Sequence, residues 1–239
     1  MRVLSDNILI RKGITVKTFY RHELKHPINI IDSEELKQRL LLVTALDSFA
    51  DEKGGYTVKS LYFDTLNNIA LQEKLDGVQH RSKFRIRYYN NNTSFMRLEK
   101  KCKNNHLCHK ENANITKEQC QSILNGDWDW LKDTDHPLLL ELYIKMSTQL
   151  LRPKSIVIYR REAFVHPVGN VRITIDSNLR RGSFVHDFLE PNTAAYPLPV
   201  GRVLEVKYDS FLPSYLHDLV RIKNRQASSF SKYAFSRLY

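Results

Sequence analysis

Arginine and lysine recur at alternate positions in several stretches of this sequence, a spacing that could bind a chain of phosphates. In Phe84–Tyr88, Arg85 and Arg87 alternate with apolar residues. Since side chains alternate between the two faces of a strand, this pattern predicts one apolar and one cationic face. Arginine binds two phosphate oxygens through its planar fork, and lysine adds a point charge. The same pattern recurs in four further stretches: Arg21–Lys25, Arg97–Lys103, Val171–Asp176 and Leu204–Tyr208.

These cationic faces have two interpretations. An ordinary half-buried sheet also alternates and has one solvated face. Such faces usually mix charges of both signs, whereas here basic residues dominate and acidic residues are few. Crowded cations repel one another unless an anion is supplied. The sequence therefore favours an anion-binding face. If the sheet closes on itself, that face points into a lumen, where a lower dielectric strengthens each contact with phosphate.

Glu205 is an exception on these faces, because a carboxylate among cations opposes a bound anion. A divalent metal would resolve the conflict, since one ion accepts both carboxylate and phosphate oxygens. A salt bridge between Glu205 and a neighbouring arginine explains the residue equally well. A second metal candidate is the group of Cys and His residues within 102–109, but its spacing fits no standard zinc site. The three cysteines of the chain also do not suggest a disulfide framework.

The composition bounds the partners and the compartment. A formal net charge of +11 favours a polyanionic partner: nucleic acid, a phosphorylated small molecule or a membrane surface. The 239 residues suffice for one core, so we expect one domain over residues 1–239, with residues 1–18 as an N-terminal extension. No apolar run is long enough to span a bilayer, and the N-terminus lacks the apolar segment of a signal peptide. We therefore expect a cytoplasmic protein.

Hydrophobic periodicity and turn residues predict an α+β protein. Helices are expected at Ser33–Phe49, Thr116–Asn125, Pro137–Gln149 and Pro213–Lys223, with a short C-terminal helix from Ser231. Strands are expected at Arg21–Ile28, Thr57–Asp64, Lys83–Tyr89, Ser94–Lys103, Ser155–Val165, Val171–Asp176 and Val203–Tyr208. The stretch Ser183–Gly201 contains three prolines and predicts a long loop, of the kind that often forms a lid or is disordered. Short connections favour an antiparallel sheet. Closed on itself, this sheet would form a barrel with helices packed on the outside.

Eight motifs, in order from Arg21 to Tyr233, resemble those of one known family. They are Arg21–Lys25, Ser60–Thr65, Arg85–Tyr88, Leu98–Lys101, Tyr159–Phe164, Val171–Asp176, Leu204–Lys207 and Ser231–Tyr233. Together they are similar to the catalytic domain of the vacuolar transporter chaperone (VTC) polyphosphate polymerases, within the triphosphate tunnel metalloenzyme group. The resemblance implies a tunnel of antiparallel strands that is open at both ends.

The resemblance also implies an activity and a set of site residues. The expected reaction is transfer of the ATP γ-phosphate to a growing polyphosphate chain with a divalent ion, manganese or alternatively magnesium. The expected catalytic residues are Arg85, Arg87, Arg161, Arg172 and Lys25. The expected substrate-binding residues are Lys101, Lys110, Lys207, Ser231, Lys232 and Tyr159, and the expected metal ligand is Glu205. The expected partners are ATP and polyphosphate, without nucleic acid; a membrane-protein partner could export the product.

The chain departs from the family pattern at two positions. Arg21 stands where the hydrolytic tunnel enzymes have the first of two glutamates, which disfavours a two-metal triphosphatase and fits the polymerases. Ser229 stands where the family often has a lysine, so one phosphate contact is expected to be missing. The regulatory domain and membrane helices of the eukaryotic proteins are also absent from this sequence. The resemblance therefore predicts a stand-alone bacterial form.

Three alternatives to a polymerase remain open. A triphosphatase or a nucleotidyl cyclase could use the same fold. A non-catalytic protein could bind RNA or polyphosphate, with Phe84, Tyr88 and Tyr89 as stacking platforms. We favour the interpretation that Phe84 and Tyr88 pack outward under helices. A degenerate tunnel with a partner-binding role is disfavoured, because all the basic motifs are present.

Overall fold

A long antiparallel sheet that curls into a tunnel forms the body of the molecule. The computed structural model describes residues 8–11, 14–17, 21–105, 107–222 and 226–239. The strands are β1 (Ile8–Arg11), β2 (Ile14–Lys17), β3 (His22–Ile28), β4 (Ala45–Leu46), β5 (Tyr56–Asp64), β6 (His80–Tyr89), β7 (Asn92–Asn104), β8 (Leu107–Ile115), β9 (Arg152–His166), β10 (Val171–Gly182), β11 (Ala195–Pro197) and β12 (Arg202–Tyr208). The main path of the sheet runs β3-β12-β10-β9-β5-β6-β7-β8, with β11 beside β10 and β4 beside β9. Strands β1 and β2 pair with each other.

The two edge strands of the sheet, β3 and β8, meet and complete the tunnel. Their backbones touch at an isolated bridge, where the Arg21 N–H donates to the Cys108 carbonyl oxygen at 3.3 Å. A side-chain ion pair also joins Glu23 of β3 to Lys101 of β7, the strand next to β8. The seam is thus held by one bridge and by charged side chains rather than by a continuous ladder. The predicted fold class, an α+β protein with a tunnel of antiparallel strands, is confirmed.

Most helices cover the apolar outer face of this sheet. They are α1 (Ile30–Leu41), α2 (Ile69–Leu75), α3 (Lys117–Leu124), α4 (Pro137–Thr148), α5 (Ser214–Val220) and α6 (Lys232–Leu238). Helices α3 and α4 bury residues such as Ile123 and Leu142 against the outer side chains of β5 to β8. Helices α1 and α5 cover β3, β12 and β10 in the same way. Among the residues that the structure describes, no helix has the length and apolar character needed to cross a membrane.

Helix α6 instead packs on the inner face of the sheet, at one end of the tunnel. The Tyr233 ring lies 5.3 Å from the ring of Tyr62, whose hydroxyl group accepts a hydrogen bond from the lumen residue Arg85. The hydroxyl groups of Ser236 and Ser155 are hydrogen bonded at 2.8 Å. Helix α2 packs beside α6, and both join the same buried cluster. The C-terminal residues therefore narrow the tunnel from within.

The first predicted helix is wrong at both ends. Helix α1 begins after Asn29, which forms a capping box with Asp32, rather than at Ser33. It ends at Leu41, and Thr44 donates hydrogen bonds from its N–H and hydroxyl groups to the Leu40 carbonyl oxygen. The backbone then extends, so that β4 can pair with β9. The following residue, Asp47, is consequently buried rather than on a helix surface.

Other boundaries agree more closely with the sequence. Helix α3 has the predicted Thr116–Gln119 capping box, α4 begins at Pro137, and α6 begins after the Ser231 cap. The prediction ending at Lys223 is too long, since α5 ends at Val220; Lys223 itself lies outside the described residues. Helix α2 was not predicted, and strand β8 was expected only from the resemblance, as the strand that carries Lys110. The stretch 183–201, expected to be a long loop, contains a 3-10 helix at Val185–Leu189 and strand β11, and it buries Phe188 in the core.

Candidate functional site

A single cavity of about 390 Å³ brings together all twelve site residues that were predicted from the sequence. They come from seven strands and from the start of α6, so positions that are distant in sequence become neighbours. The cavity lining includes Lys25, Arg85, Arg87, Lys101, Lys110, Tyr159, Arg161, Arg172, Glu205, Lys207, Ser231 and Lys232. This cavity is called the tunnel interior below.

Strand register explains this convergence, because directly paired residues in a sheet face the same side. Arg85 lies opposite Tyr62 on β5 and opposite Glu99 on β7. At the other side of the tunnel, Glu205 lies between Thr174 of β10 and Lys25 of β3. The alternation predicted from the sequence therefore holds around the tunnel, with polar side chains inward.

Each of the nine nominated basic residues forms an ion pair with a carboxylate. The pairs are Lys25 with Glu23 (2.8 Å), Arg85 with Glu99 (2.6 Å), Arg87 with Glu99 (3.8 Å), Lys110 with Glu99 (2.6 Å), Arg161 with Asp176 (2.7 Å), Lys232 with Asp176 (2.6 Å), Lys207 with Glu205 (3.1 Å), Arg172 with Asp47, and Lys101 with Glu23. The expectation that acids are few on this face is therefore wrong. Five carboxylates lower the repulsion among nine cations.

Glu99 shows how one acid serves several cations. Its side chain is 2% exposed and contacts Arg85, Arg87 and Lys110. Burial alone would raise the pKa of Glu99, but these three cations hold it well below its usual value. Glu99 is therefore ionised and fixes the directions of two guanidinium groups before any ligand arrives.

Tyrosine hydroxyl groups also hold the tunnel arginines. Arg85 donates to the Tyr62 hydroxyl oxygen at 3.1 Å, and Arg172 donates to that of Tyr56 at 2.9 Å. Arg87 donates to the nominated Tyr159 at 3.3 Å. A neutral hydroxyl group orients an arginine without cancelling its charge, so these contacts leave the guanidinium available to phosphate.

Glu205 has the salt bridges that the sequence suggested as an alternative to a metal. It lies 3.1 Å from Lys207, 3.6 Å from Arg161 and 3.9 Å from Lys25. Burial would raise its pKa, but Lys207 and Lys25 hold that pKa well below its usual value. Burial lowers the pKa of Lys207 to about 8, although Glu205 and Glu23 oppose this shift.

The Glu205 side chain also contacts that of Glu23 on the adjacent strand. Two adjacent carboxylates form an oxygen donor set that a divalent ion can share with substrate phosphates and water. The described residues contain no cluster of three or more His, Cys, Asp or Glu that could hold a metal alone. The side chains present thus fit an ion whose remaining ligands come from phosphate or water. For the group of Cys and His residues within 102–109, this statement does not cover His106, which lies outside the described residues.

Asp176 fixes the position of α6 in the tunnel. Its carboxylate accepts two hydrogen bonds from Arg161 and contacts the Lys232 ammonium group at 2.6 Å. Burial would raise the pKa of Asp176, but Arg161 and Lys232 lower it to about 2. A second buried acid, Asp64, accepts hydrogen bonds from backbone N–H groups at the start of α2 and from the Tyr233 hydroxyl group. Both ends of the Ser231–Tyr233 segment are therefore anchored.

Ser229, where the resemblance led us to expect a lysine, has an ammonium group beside it. The Lys74 side chain reaches from α2, and its Nζ lies 3.1 Å from the Ser229 hydroxyl oxygen. The structure thus places a cation from a different element next to this position. Because α2 was not predicted, sequence reasoning could not nominate Lys74.

The aromatic residues near Arg85 and Arg87 divide between the two faces of the sheet. Phe84 and Tyr88 are buried in the outer core under the helices, as we favoured. Tyr89 instead lines the tunnel interior, because alternation along β6 places it on the same face as Arg85 and Arg87. Phe84 and Tyr88 therefore do not form a stacking platform for nucleic-acid bases.

Comparison with known proteins places this geometry in a family. A family model described as the VTC domain matches residues 20–238. No curated protein matches the chain at a significant level. A candidate adenylyl cyclase from Hippeastrum with a dominant triphosphatase activity has a TM-score of 0.51 and 14% identity, covering 92% of this chain and 95% of that chain. A candidate adenylate cyclase from Bacillus halodurans has a TM-score of 0.50 and 12% identity, covering 84% and 86%.

Likeness at these identities shows the fold alone. The family model carries the stronger statement, since it spans the tunnel from before β3 to the end of α6. The chain therefore belongs to the VTC domain family.

Proposed function

We propose that this protein is a phosphotransferase that moves the γ-phosphate of ATP onto a growing chain of inorganic polyphosphate. The observation that carries the proposal is the convergence of the nominated phosphate ligands and Glu205 in one cavity. Membership of the VTC domain family supports phosphoryl transfer as the class of chemistry. The tunnel shape supports a long, thin acceptor, because such a chain can extend past the reacting phosphates.

The side chains would act by position and charge. Phosphoryl transfer needs little covalent chemistry from a protein, and electrostatic stabilisation supplies most of the rate. A terminal phosphate oxygen of the acceptor chain attacks the γ-phosphorus of ATP. One phosphorus–oxygen bond forms as the bond to the β-phosphate oxygen breaks, and ADP leaves. No side chain is needed as the nucleophile.

The arginines are pre-arranged for this reaction. Arg85 and Arg87 project from β6, while Arg161 and Arg172 project from the facing strands β9 and β10. Carboxylates and tyrosine hydroxyl groups already hold these guanidinium groups, so little reorganisation is needed when charge develops on the transferred group. The ion pairs also share their charge with a phosphate when it arrives, because each arginine has more donors than its carboxylate uses.

Glu205, with Glu23 beside it, would hold the divalent ion that we propose as cofactor, manganese or alternatively magnesium. When bound, such an ion neutralises part of the phosphate charge and orients the phosphate oxygens. Lys25, Lys101 and Lys207 surround the two carboxylates and would bind phosphate at their other side. We propose that the protein acts without nucleic acid in the cytoplasm and can deliver its product to a membrane-protein partner.

The test is incubation of the purified protein with ATP and manganese, with measurement of polymer, free phosphate and cyclic nucleotide. Polymer as the main product supports the proposal. Free phosphate as the main product would identify a triphosphatase of the same fold, and cyclic nucleotide would identify a cyclase. Either result would overturn the assignment of a polymerase.

Matched variants test the site. Arg85→Ala and Glu205→Gln should each lower the rate of polymer formation by about 100-fold or more, because both remove a charge that contacts the reacting groups. Arg160→Ala is the control, since Arg160 faces outward and pairs with Asp51. Thermal unfolding of each variant confirms that it folds. Full activity in the folded Arg85→Ala or Glu205→Gln protein would contradict the site.

A further inference from the structure

A second cavity of about 310 Å³ opens from the tunnel interior beside helix α2. The two cavities share lining residues that include Lys25, Lys83, Lys101 and Ser231, so they are continuous. The second cavity adds three basic residues from α2, β6 and β7: Lys74, Arg81 and Lys103. The α2 mouth is defined here as the opening lined by Lys74, Arg81, Lys83, Lys103 and residues 227–229.

The cations of the α2 mouth lack the carboxylate partners found in the tunnel interior. Among the described residues, none of these four forms an ion pair with Asp or Glu within 4.0 Å. The Lys83 ammonium group donates to the Ser231 hydroxyl oxygen at 3.2 Å, and that of Lys74 donates to Ser229. Arg81 donates to a backbone carbonyl oxygen, that of Val78. Lys74, Arg81 and Lys83 are thus held by neutral acceptors rather than by carboxylates.

The electrostatic environment reflects this lack of acids. Burial, followed by the nearby Lys101 and Lys25, lowers the pKa of Lys83 well below its usual value. Burial, followed by Arg81 and Lys103, likewise lowers the pKa of Lys74. Cations that repel one another in a half-buried opening attract an anion more strongly than paired cations do.

The shape of the α2 mouth favours a thin ligand without rings. Small side chains, those of Ala70, Ala227, Ser228 and Ser229, form much of its wall. Phe230 is its one aromatic lining residue among those described, and its ring already packs against Phe235 at 5.4 Å. The opening therefore offers cations and hydroxyl groups but no free stacking surface for a base.

We propose that the α2 mouth is a second binding subsite, which holds the part of a linear inorganic polyphosphate chain beyond the phosphates in the tunnel interior. This inference rests on the proposed function, since it assumes that the tunnel accepts such a chain. It assigns Lys74, Arg81, Lys83 and Lys103 to the polymer, and it gives the tunnel a direction. The polymer extends toward α2, so the nucleotide occupies the opposite side, near Tyr56, Tyr89 and Arg172.

The experiment measures binding of three probes to the full protein: tripolyphosphate, long-chain polyphosphate and a single-stranded RNA of similar charge. The mouth variant is Lys74→Gln with Lys103→Gln, two residues that line the second cavity but not the tunnel interior, and the control is Lys117→Gln with Lys132→Gln. Both variants lose two positive charges, but Lys117 and Lys132 lie on α3 and in the 3-10 helix at Asp129–Asp133, outside the tunnel. Titrations at several salt concentrations use isothermal calorimetry without ATP.

The mouth variant should bind long-chain polyphosphate about ten-fold or more weakly than the parent, with a shallower salt dependence. Its affinity for tripolyphosphate should change by less than about two-fold, and the control should match the parent. Equal loss for both phosphate probes, or an equal loss in the control, would overturn the subsite. RNA binding that falls in parallel with polyphosphate binding would overturn the assignment to polyphosphate.

Failure of this inference differs from failure of the proposed function. A wild-type protein that binds long chains through the α2 mouth but makes no polymer would refute the polymerase and leave the subsite standing. A protein that makes polymer with unchanged chain-length dependence in the mouth variant would refute the subsite alone.

Discussion

The tunnel interior and the α2 mouth are both lined by basic residues, but these residues have different partners in the two regions. In the interior, Glu23, Glu99, Glu205, Asp47 and Asp176 pair with the cations and fix their positions. In the mouth, the ammonium groups of Lys74 and Lys83 donate to serine hydroxyl groups, and neither forms an ion pair within the part of the chain that the structure describes. Pairing provides stability and orientation but weakens attraction for an anion, whereas unpaired cations do the reverse. The interior is therefore suited to positioning phosphates, and the mouth to capturing a chain.

The largest test of this contrast removes the central acid of the interior. Glu99→Gln leaves Arg85, Arg87 and Lys110 without their shared carboxylate, and breaking a buried ion pair typically costs about 3–5 kcal/mol. For a chain of this size we expect Tm to fall by about 6–20 °C, measured by calorimetry. Tripolyphosphate should restore more of the Tm in this variant than it adds to the parent protein.

Glu34→Gln is the control for that substitution. Glu34 pairs with Lys37 and Arg202, but its side chain is 52% exposed, so its loss should change Tm little. If Glu99→Gln and Glu34→Gln shift Tm equally, the interior acids do not stabilise the cation cluster.

A second test removes one of the contacts that anchor the Ser231–Tyr233 segment, which lies between the two regions. Tyr233→Phe removes the hydroxyl group that donates to the buried Asp64, and a hydrogen bond to a charged group contributes about 1.5–3 kcal/mol. We expect a lower Tm and weaker binding of tripolyphosphate, because the Ser231–Lys232 segment loses one anchor. Unchanged binding together with a lowered Tm would show that the anchor acts on stability alone.

A third test is expected to raise Tm, whereas the first is expected to lower it. Lys83→Met removes a buried amine whose pKa is lowered by burial and then by Lys101, Lys25 and Arg85, although Glu23 opposes the shift. The change should therefore stabilise the free protein by about 1 kcal/mol, roughly 2–4 °C in Tm. The same variant should bind long polyphosphate more weakly. A fall in Tm would show that Lys83 has a stabilising partner and would remove the contrast with the interior.

The smallest expected effect is the number of protons that the protein takes up when a phosphate chain binds. Burial lowers the pKa of Lys207 to about 8, so in the free protein this lysine is partly neutral at pH 8–9. A phosphate chain favours the charged form and raises that pKa, so binding takes up as much as about one proton in this range. Affinity should then fall as pH rises above 8. Calorimetry in two buffers with different ionisation enthalpies measures the uptake, which Lys207→Met should reduce; an undiminished uptake would exclude Lys207 as its source.

The basic lining was predictable because it depends on local alternation. Arg85 and Arg87 share a face in any strand, whatever the rest of the fold. The acids were harder to assign, since their role depends on register. Asp47 followed a helical pattern in the sequence, and only the pairing of β4 with β9 places it against Arg172.

The α2 mouth was not predictable for a related reason. Helix α2 has only seven residues, and its N-cap residue, Asn68, has a left-handed backbone and makes no side-chain capping bond. The capping acceptor is Asp64, which lies at the end of the preceding strand. Because the sequence contains no recognisable signal for helix α2, Lys74 could not be placed next to Ser229. Contacts between elements distant in sequence are what the sequence alone could not supply.

The inward packing of α6 also has a consequence for synthesis of the protein. Strand β3 must wait for β12 before it can pair, and the tunnel narrows fully only when the Ser231–Tyr233 segment docks. Contacts between such distant segments form late, because loop closure must precede them. A chain still emerging from the ribosome would therefore present its cationic face as an open trough, accessible to any polyanion. Helix α6, which follows every strand of the sheet in the chain, is the element that narrows this trough.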